Sequence, residues 1–223
     1  TGESFKDLIV KMDELEGLKR VRISSIEPNL ISDQIIEFCS SSKKFMPHYH
    51  IPLQSGSDTI LKSMKRRYNT ELYLSKIKKI KDANPATCIG ADIIVGYPNE
   101  SKSDFLNTYD FISDLDISYL HVFPYSRRDG TKAMNIKNLV SIDERSDRSK
   151  MLRVLSDKKR FSFNKLFLGS NREVLFENHT NGKAVGYTDN YIKVEVPTNQ
   201  ILTNRIENIK LMKCNGSIVS GSL

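Results

Sequence analysis

The sequence predicts an α/β protein, a partial parallel (β/α) barrel followed by a small all-β barrel of OB type. Over the first two thirds of the 223 residues, short apolar runs alternate with helical patterns. Strands that return after crossover helices imply a parallel sheet, because a tight hairpin cannot join parallel neighbours. Beyond Gly169 short alternating segments follow one another between turn signals, which is typical of a small barrel. We therefore expect two parts, residues 1–166 and residues 167–223.

Composition limits the class of protein. Lys and Arg number 34 against 27 Asp and Glu, a net charge of +7, and 39% of the residues are hydrophobic. This balance indicates a globular protein rather than a disordered or collagenous one. We find no apolar run of the roughly 18 residues that a bilayer span needs and no leader pattern, so we expect a cytoplasmic protein with no membrane partner. The chain begins at Thr1 rather than Met, which leaves open that it is a piece of a longer protein.

The first part contains four predicted strands. They are Val21–Ile26, Tyr49–Leu53, Ile89–Val95 and Tyr119–Phe123. Four βα units are too few to close an eight-stranded barrel, so we interpret the segment as a partial barrel or as the later part of one.

Helix signals follow these strands. Ser32 and Asp58 are candidate N-caps, and Thr70 opens a helix that Asn84-Pro85 ends. Two capping boxes are predicted, at Ser101-x-x-Asp104 and at Ser141-x-x-Glu144. The second opens a long helix that reaches about Leu166 and carries Met151, Leu152 and Leu155 on one face.

The second part reads as strands and turns. The predicted strands are Arg172–Glu177, Lys183–Tyr187, Tyr191–Val196 and Ile206–Met212. We interpret Asn181-Gly182 and Asp189-Asn190 as hairpin turns rather than contacts.

Polar loops follow all four strands of the first part. They are Ser24–Pro28, Gln54–Ser57, Gly96–Glu100 and Tyr125–Thr131. Each loop alone is explained by helix caps and turns, which favour Ser, Asn and Gly. Together they predict a site for a polar, charged ligand, because the carboxyl ends of parallel strands meet at one edge.

Asp92 stands inside an apolar run, where a carboxylate needs a hydrogen-bonding partner. A ligand hydroxyl and a buried structural partner are equally good candidates. His48, His50 and His121 complete no metal-binding pattern, so we expect structural histidines and no metal site.

The cations between Lys62 and Lys81 would bind a phosphate backbone or form a solvated helix face, and Arg66 or Arg67 could clamp a carboxylate. A basic first part joined to a small barrel of a nucleic-acid-binding type favours RNA as the partner, because the two parts would offer separate surfaces to one ligand.

Four segments carry further motifs, in the order RISSIEPN (22–29), HIPLQSGSDTILKSMKRRY (50–68), GADIIVGYPNES (90–101) and SYLHVFPYSRRDGT (118–131). In order and spacing they resemble the radical S-adenosylmethionine methylthiotransferases. The segment VGYTDNYIKVEVP (185–197) resembles the TRAM domain that ends those enzymes. Within the family, the first two segments are most similar to the branch acting on N6-threonylcarbamoyladenosine beside the tRNA anticodon, rather than the isopentenyladenosine or ribosomal-protein branches.

The resemblance implies a role for each loop in holding S-adenosylmethionine. It implies hydrogen bonds from Gln54 and from Asp92, the latter to the ribose hydroxyls, and an Arg66 contact to the methionyl carboxylate. Ser25 or Glu27 would face the amino group or the substrate. Val122 and Phe123 would offer backbone groups and apolar area to the adenine.

The chain departs from the family in its cysteines. The family reduces S-adenosylmethionine with a four-iron four-sulfur cluster on a Cys-x-x-x-Cys-x-x-Cys motif and takes sulfur from a second cluster. This sequence has only Cys39, Cys88 and Cys214, far apart and unsuited to cluster ligation. We therefore expect an inactive C-terminal fragment of a tRNA methylthiotransferase whose parent has two 4Fe-4S clusters and an electron donor such as flavodoxin or ferredoxin.

Two other functions stay open. The first is an RNA-binding module with a non-catalytic barrel. The second is a metal-free lyase or aldolase, which would need a Schiff-base lysine or an acid–base pair that the sequence does not reveal.

Overall fold

A four-stranded parallel sheet forms the first part of the molecule. The computed structural model describes residues 2–223 of the chain. The strands are β1 (Val21–Ile23), β2 (Phe45–His50), β3 (Cys88–Val95) and β4 (Tyr119–Pro124), paired in this order. The prediction of a parallel sheet with crossover helices is confirmed.

Six α-helices accompany the described strands. They are α1 (Phe5–Glu14), α2 (Asp33–Ser41), α3 (Asp58–Ser63), α4 (Thr70–Ala83), α5 (Lys102–Asp114) and α6 (Ile142–Lys165). Two 3₁₀ turns, Pro28–Leu30 and Lys132–Asn135, lie between them. Within residues 2–223 no helix combines the length and the apolar character that a bilayer crossing requires.

The capping predictions had mixed outcomes. Ser32 and Ser101 cap their helices as predicted, and Asp104 completes the box at Ser101. Asp58 was wrongly predicted as a cap, because it is the first helical residue and its carboxylate accepts from Thr70 N at 2.8 Å. Helix α1 was missed, although Ser4 and Asp7 form a capping box there.

Strand β2 begins and ends earlier than predicted. Beyond His50 the chain still follows β3, since Ile51 N donates to Gly90 O at 2.9 Å. Pro52 then has no N–H to give, and Gln54 takes a left-handed φ of 70°. These two residues bend the chain out of regular strand pairing, and only an isolated bridge from Gln54 to Ile93 continues it.

The two faces of the sheet differ in chemistry. On β3 the side chains of Ile89, Ala91 and Ile93 are fully buried in a core shared with the helices. Because strand side chains alternate, the residues between them lie on the opposite face, which carries Asp92. From α6, Leu152 and Leu155 join the core as predicted, whereas Met151 is exposed.

A closed five-stranded barrel follows. Its strands are β5 (Asn171–Thr180), β6 (Lys183–Thr188), β7 (Lys193–Pro197), β8 (Ile206–Asn215) and β9 (Ile218–Ser222), in the order β5-β6-β7-β9-β8. Strands β7 and β9 are parallel, and the other pairs are antiparallel. Strand β9 was not predicted, because its Ser and Gly residues weaken the apolar alternation.

The barrel is joined to the sheet by direct contacts. The Arg22 guanidinium donates to the carbonyls of Thr188 (2.8 Å) and Asp189 (2.9 Å) and lies over the Tyr191 ring. Asn190 Nδ2 donates to Ala86 O at 3.2 Å. The Asp189-Asn190 segment is thus a turn, as predicted, but it also makes interdomain contacts that the sequence did not indicate.

Candidate functional site

A cleft of about 660 Å³ lies at the carboxyl ends of β3 and β4. Its lining includes Gln54, Arg66, Asp92, Phe123 and Tyr125. Gln54, Arg66, Asp92 and Phe123 were predicted as ligand contacts from separate segments, and the fold brings them to one cavity.

Gln54 is held in an unusual backbone conformation. Its φ of 70° is disfavoured for a residue with a side chain. Two hydrogen bonds fix it, from Gln54 N to Asp92 O at 2.8 Å and from Ile94 N to Gln54 O at 3.0 Å. Its side-chain Oε1 is buried and accepts no hydrogen bond from the described residues. The amide is thus positioned with an unused acceptor beside the cleft.

Arg66 is paired at one end of its guanidinium. Its Nη1 lies 3.0 Å from Glu27 Oε1, whereas the buried Nε has no acceptor within residues 2–223. An unpaired buried donor costs about 1–3 kcal/mol. A carboxylate entering the cleft would satisfy this donor, and Gln54 Oε1 offers an acceptor nearby. The residues present therefore fit a ligand with an α-amino acid group.

Asp92 lies between two histidines. His50 Nε2 is 2.9 Å and His121 Nδ1 is 3.6 Å from the same Asp92 oxygen, Oδ1. His50 Nδ1 is 3.1 Å from Ser24 O. The hydrogen bond to Asp92 raises the pKa of His50, whereas burial lowers the pKa of His121.

This cluster was not predicted, since its members come from three strands. Strand register brings them together, because His50 pairs with Gly90 and Asp92 pairs with His121. The sequence predicted structural histidines and no metal site; His50 and His121 in fact converge, with ligand atoms within 4.8 Å of the Asp92 carboxylate and of one another. The His50–Asp92 pair also supplies an acid–base pair that the sequence did not reveal. The buried His48 is structural, with Nε2 3.0 Å from the Tyr119 hydroxyl.

The remaining predicted contacts are placed differently. Ser25 is exposed and is not among the residues that line the cleft, whereas Phe123 lines it with 49% of its surface accessible. The Val122 side chain is buried in the helix-covered core, so the expectation that it offers apolar area to a ligand is wrong. Alternation along β4 explains this, since neighbouring residues of a strand lie on opposite faces.

Glu100 was missed as a positioning residue. Its carboxylate accepts from Gly96 N at 2.5 Å and Tyr97 N at 3.1 Å, and it pairs with Arg148 at 2.7 Å. Burial raises the pKa of Glu100. The Gly96–Glu100 loop, predicted as a ligand-binding rim, is thus clamped to α6.

The cysteines do not form a cluster site. Cys39 and Cys88 are buried on α2 and β3, and Cys214 lies on β8 of the barrel. Among the residues that the structure describes, the one group of potential metal ligands is His50, Asp92 and His121. The chain therefore does not fit an iron–sulfur cluster, which needs several converging thiolates.

Comparison with known proteins agrees with this architecture. The family model described as "Radical SAM superfamily" matches residues 2–112. "Threonylcarbamoyladenosine tRNA methylthiotransferase MtaB" of Bacillus subtilis (strain 168) is 38% identical over 223 residues, covering 95% of this chain and 49% of the relative. "tRNA-2-methylthio-N(6)-dimethylallyladenosine synthase" of Finegoldia magna is 32% identical over 223 residues, covering 99% and 48%. The chain thus spans about half the length of these relatives.

A solved structure shares the fold. Coproporphyrinogen III oxidase (HemN) from Escherichia coli, described as a radical SAM enzyme, aligns with a TM-score of 0.54 and 14% identity. The alignment covers 74% of this chain and 44% of that protein. At 14% identity this likeness concerns the fold alone.

Proposed function

This chain belongs to the radical S-adenosylmethionine methylthiotransferases, and we propose that it forms the nucleoside-binding half of an enzyme that methylthiolates carbon 2 of N6-threonylcarbamoyladenosine in tRNA. The observation that carries the proposal is the cleft with Gln54, Arg66 and Asp92 on its wall. Identity of 38% to a relative named for this reaction, over 95% of the chain, favours the threonylcarbamoyl branch.

Each cleft residue would bind a different part of S-adenosylmethionine. Arg66 would bind the methionyl carboxylate with the donors that Glu27 leaves unused, and Glu27 would accept from the amino group. Asp92 would accept from the ribose hydroxyls through Oδ2, because both histidines approach Oδ1. Phe123 would pack against the adenine.

Gln54 and the neighbouring backbone would complete the binding site. The Gln54 amide would accept from the methionyl amino group or a hydroxyl. Ser25, exposed next to the Ser24 carbonyl that holds His50, would face the substrate side. Val122 would contribute backbone groups only, since its side chain is in the core.

Membership of this family implies S-adenosylmethionine and four-iron four-sulfur clusters as cofactors. When bound, S-adenosylmethionine supplies radical chemistry. The three cysteines of this sequence fit no cluster, so we expect this chain alone to be inactive. An electron donor such as flavodoxin or ferredoxin would serve the complete enzyme.

The barrel would bind the tRNA. We propose that it is the TRAM domain suggested by the sequence, since five strands in a closed mixed barrel suit the OB type, which binds nucleic acids. The Arg22 contacts fix the barrel against the sheet, so an anticodon stem-loop held by the barrel would stay at a constant distance from the cleft.

Exposed cations at the cleft are better phosphate ligands than the lysines of α4. Arg67 is exposed beside Arg66, and Arg128 lines the cleft. By contrast, Lys76 and Lys79 are paired with Asp33, and Lys78 is paired with Asp82.

Deletion of the gene that encodes this chain tests the proposal. Mass spectrometry of tRNA nucleosides should show loss of 2-methylthio-N6-threonylcarbamoyladenosine and accumulation of its unmodified precursor. An unchanged level of the methylthio nucleoside would overturn the assignment. Loss of the methylthio-isopentenyl nucleoside instead would assign the chain to the branch that includes the Finegoldia relative.

The dispersed cysteines favour one second candidate, an RNA-binding module with a non-catalytic barrel. That function requires salt-dependent binding of tRNA by the 223-residue chain without binding of S-adenosylmethionine. Titration of both ligands into the same protein separates the two candidates.

A further inference from the structure

We propose that His50, Asp92 and His121 form a site for a divalent transition-metal ion, of the class of Zn²⁺ or Fe²⁺, on the open face of the sheet. The site shares Asp92 with the cleft but does not involve Gln54 or Arg66. It uses Asp92 Oδ1, whereas the proposed ribose contact uses Oδ2, and all three of its residues are present in this chain.

The donor atoms are close enough to share one ion. His50 Nε2, an Asp92 oxygen and His121 Nδ1 all lie within 4.8 Å of one another. The two histidine nitrogens are 2.9 Å and 3.6 Å from Asp92 Oδ1. A tetrahedral ion with bonds of about 2.0–2.2 Å holds neighbouring ligand atoms about 3.3 Å apart. Small side-chain rotations therefore suffice to coordinate the ion.

The environment of His50 orients it as a ligand. A carbonyl oxygen only accepts, so the 3.1 Å contact with Ser24 O places the proton on His50 Nδ1. Nε2 faces the Asp92 carboxylate, and a metal ion that replaced the proton between them would be held by the Nε2 lone pair. Metal-binding histidines commonly donate their second N–H to a backbone carbonyl, which fixes ring orientation and tautomer.

The charges in the cluster favour a cation between these atoms. A lone pair on His50 Nε2 and an anionic oxygen of Asp92 repel each other at 2.9 Å unless a positive atom lies between them. A proton would satisfy this pair but would leave His121 Nδ1 3.6 Å away, beyond hydrogen-bond distance. One metal ion would satisfy all three groups.

The surroundings leave part of the coordination sphere open. His121 has 51% of its side chain exposed, so the ion would be reached from solvent and would keep a position for water or an anionic ligand. Arg160 of α6 lies near the site, because its guanidinium is 4.5 Å from the centre of the Tyr119 ring and that ring is 5.3 Å from the His121 ring. The negative charge of Asp92 offsets the positive charge of Arg160. Two histidines and one carboxylate suit Zn²⁺ and non-haem Fe²⁺.

Metal titration of the chelator-treated 223-residue chain tests the inference. We expect calorimetry to show one Zn²⁺ per chain and Co²⁺ to give visible absorption bands of low coordination number. His121→Ala should lower Zn²⁺ affinity at least about tenfold, and His50→Gln should do the same. His179→Ala is the matched control, because this histidine lies on the barrel and bonds Thr198 O.

Three results would overturn the inference: no saturable Zn²⁺ binding, equal binding in wild type and His121→Ala, or loss of binding in His179→Ala alone. Because His121 is half-exposed, its alanine variant should keep the wild-type melting temperature. If it does not, Zn²⁺ binding by Asp92→Asn decides, and retention of full affinity there refutes the site.

Discussion

Arg66 and Glu27 face each other across the mouth of the cleft, with 3.0 Å between Nη1 and Oε1. The pair joins the loop after β1 to the segment after α3, so two separate βα units close on one cavity. It also leaves the buried Nε of Arg66 without an acceptor among the described residues. The guanidinium is thus oriented by one carboxylate and available to another.

Arg66→Lys should weaken binding of S-adenosylmethionine about tenfold or more, because a lysine cannot reproduce the planar fork that pairs with a carboxylate. The same substitution should leave binding of methylthioadenosine unchanged, since that molecule has no carboxylate. Calorimetry with both ligands measures the difference. The control is Arg67→Lys, at the neighbouring exposed residue.

Asp92→Asn should weaken binding of S-adenosylmethionine and of methylthioadenosine by a similar factor, because both molecules carry the ribose hydroxyls. The titrations are made in the presence of a chelator, so that loss of a metal ion does not contribute. If Asp92→Asn affects neither ligand while Arg66→Lys affects S-adenosylmethionine, the ribose contact is assigned to the wrong residue.

Gly56→Ala should lower the free energy of unfolding by about 1–3 kcal/mol through overpacking. A methyl group on Gly56 would lie 2.8 Å from Thr108 Cα on α5, and backbone cannot move aside as a flexible side chain does. Urea denaturation measures the effect. Gly2→Ala is the control, because its methyl group would meet nothing within 4 Å. Equal stability of both variants would show that the loop carrying Gln54 is not pinned to α5.

Ser156→Ala should destabilise the protein by about 1–3 kcal/mol, since it leaves buried backbone groups unpaired. Ser156 Oγ accepts from Leu120 N at 2.8 Å and donates to Leu120 O at 3.1 Å. It thereby caps the outer edge of β4 with a side chain of α6. Ser146→Ala on the exposed side of α6 should be neutral in the same denaturation experiment.

Asp104 should make stability depend on pH. Partial burial would raise the pKa of Asp104, but hydrogen bonds from Ser101 and Ser57 outweigh it and lower this pKa below 3.8. The carboxylate therefore stabilises the fold above about pH 4, and this contribution disappears as pH falls through the lowered value. Urea denaturation at pH 7 and pH 3 should show a gap between wild type and Asp104→Asn that is smaller at the lower pH. A gap of constant size would contradict the prediction.

The sequence predicted helices and strands well where residues close together in the chain determine them. Ser32 and Ser101 cap helices because each side chain accepts from a backbone N–H three residues ahead. Strand β3 was found within one residue of its start because it is an almost continuous apolar run in the sequence. Strand β2 was displaced, since Ile51 and Leu53 are fully buried but lie on a bent segment outside regular pairing. Burial without regular pairing has no distinct sequence pattern.

The sequence by itself determined the order of strands and helices apart from α1 and β9, the parallel sheet and the polar loops that end its strands, because periodicity and capping depend on neighbours in the chain. Only the tertiary structure decided which side chains meet. Strand register placed His121 next to Asp92 and directed Val122 into the core. A shift of one residue would have exchanged these two faces, and register is fixed by packing between segments far apart in sequence.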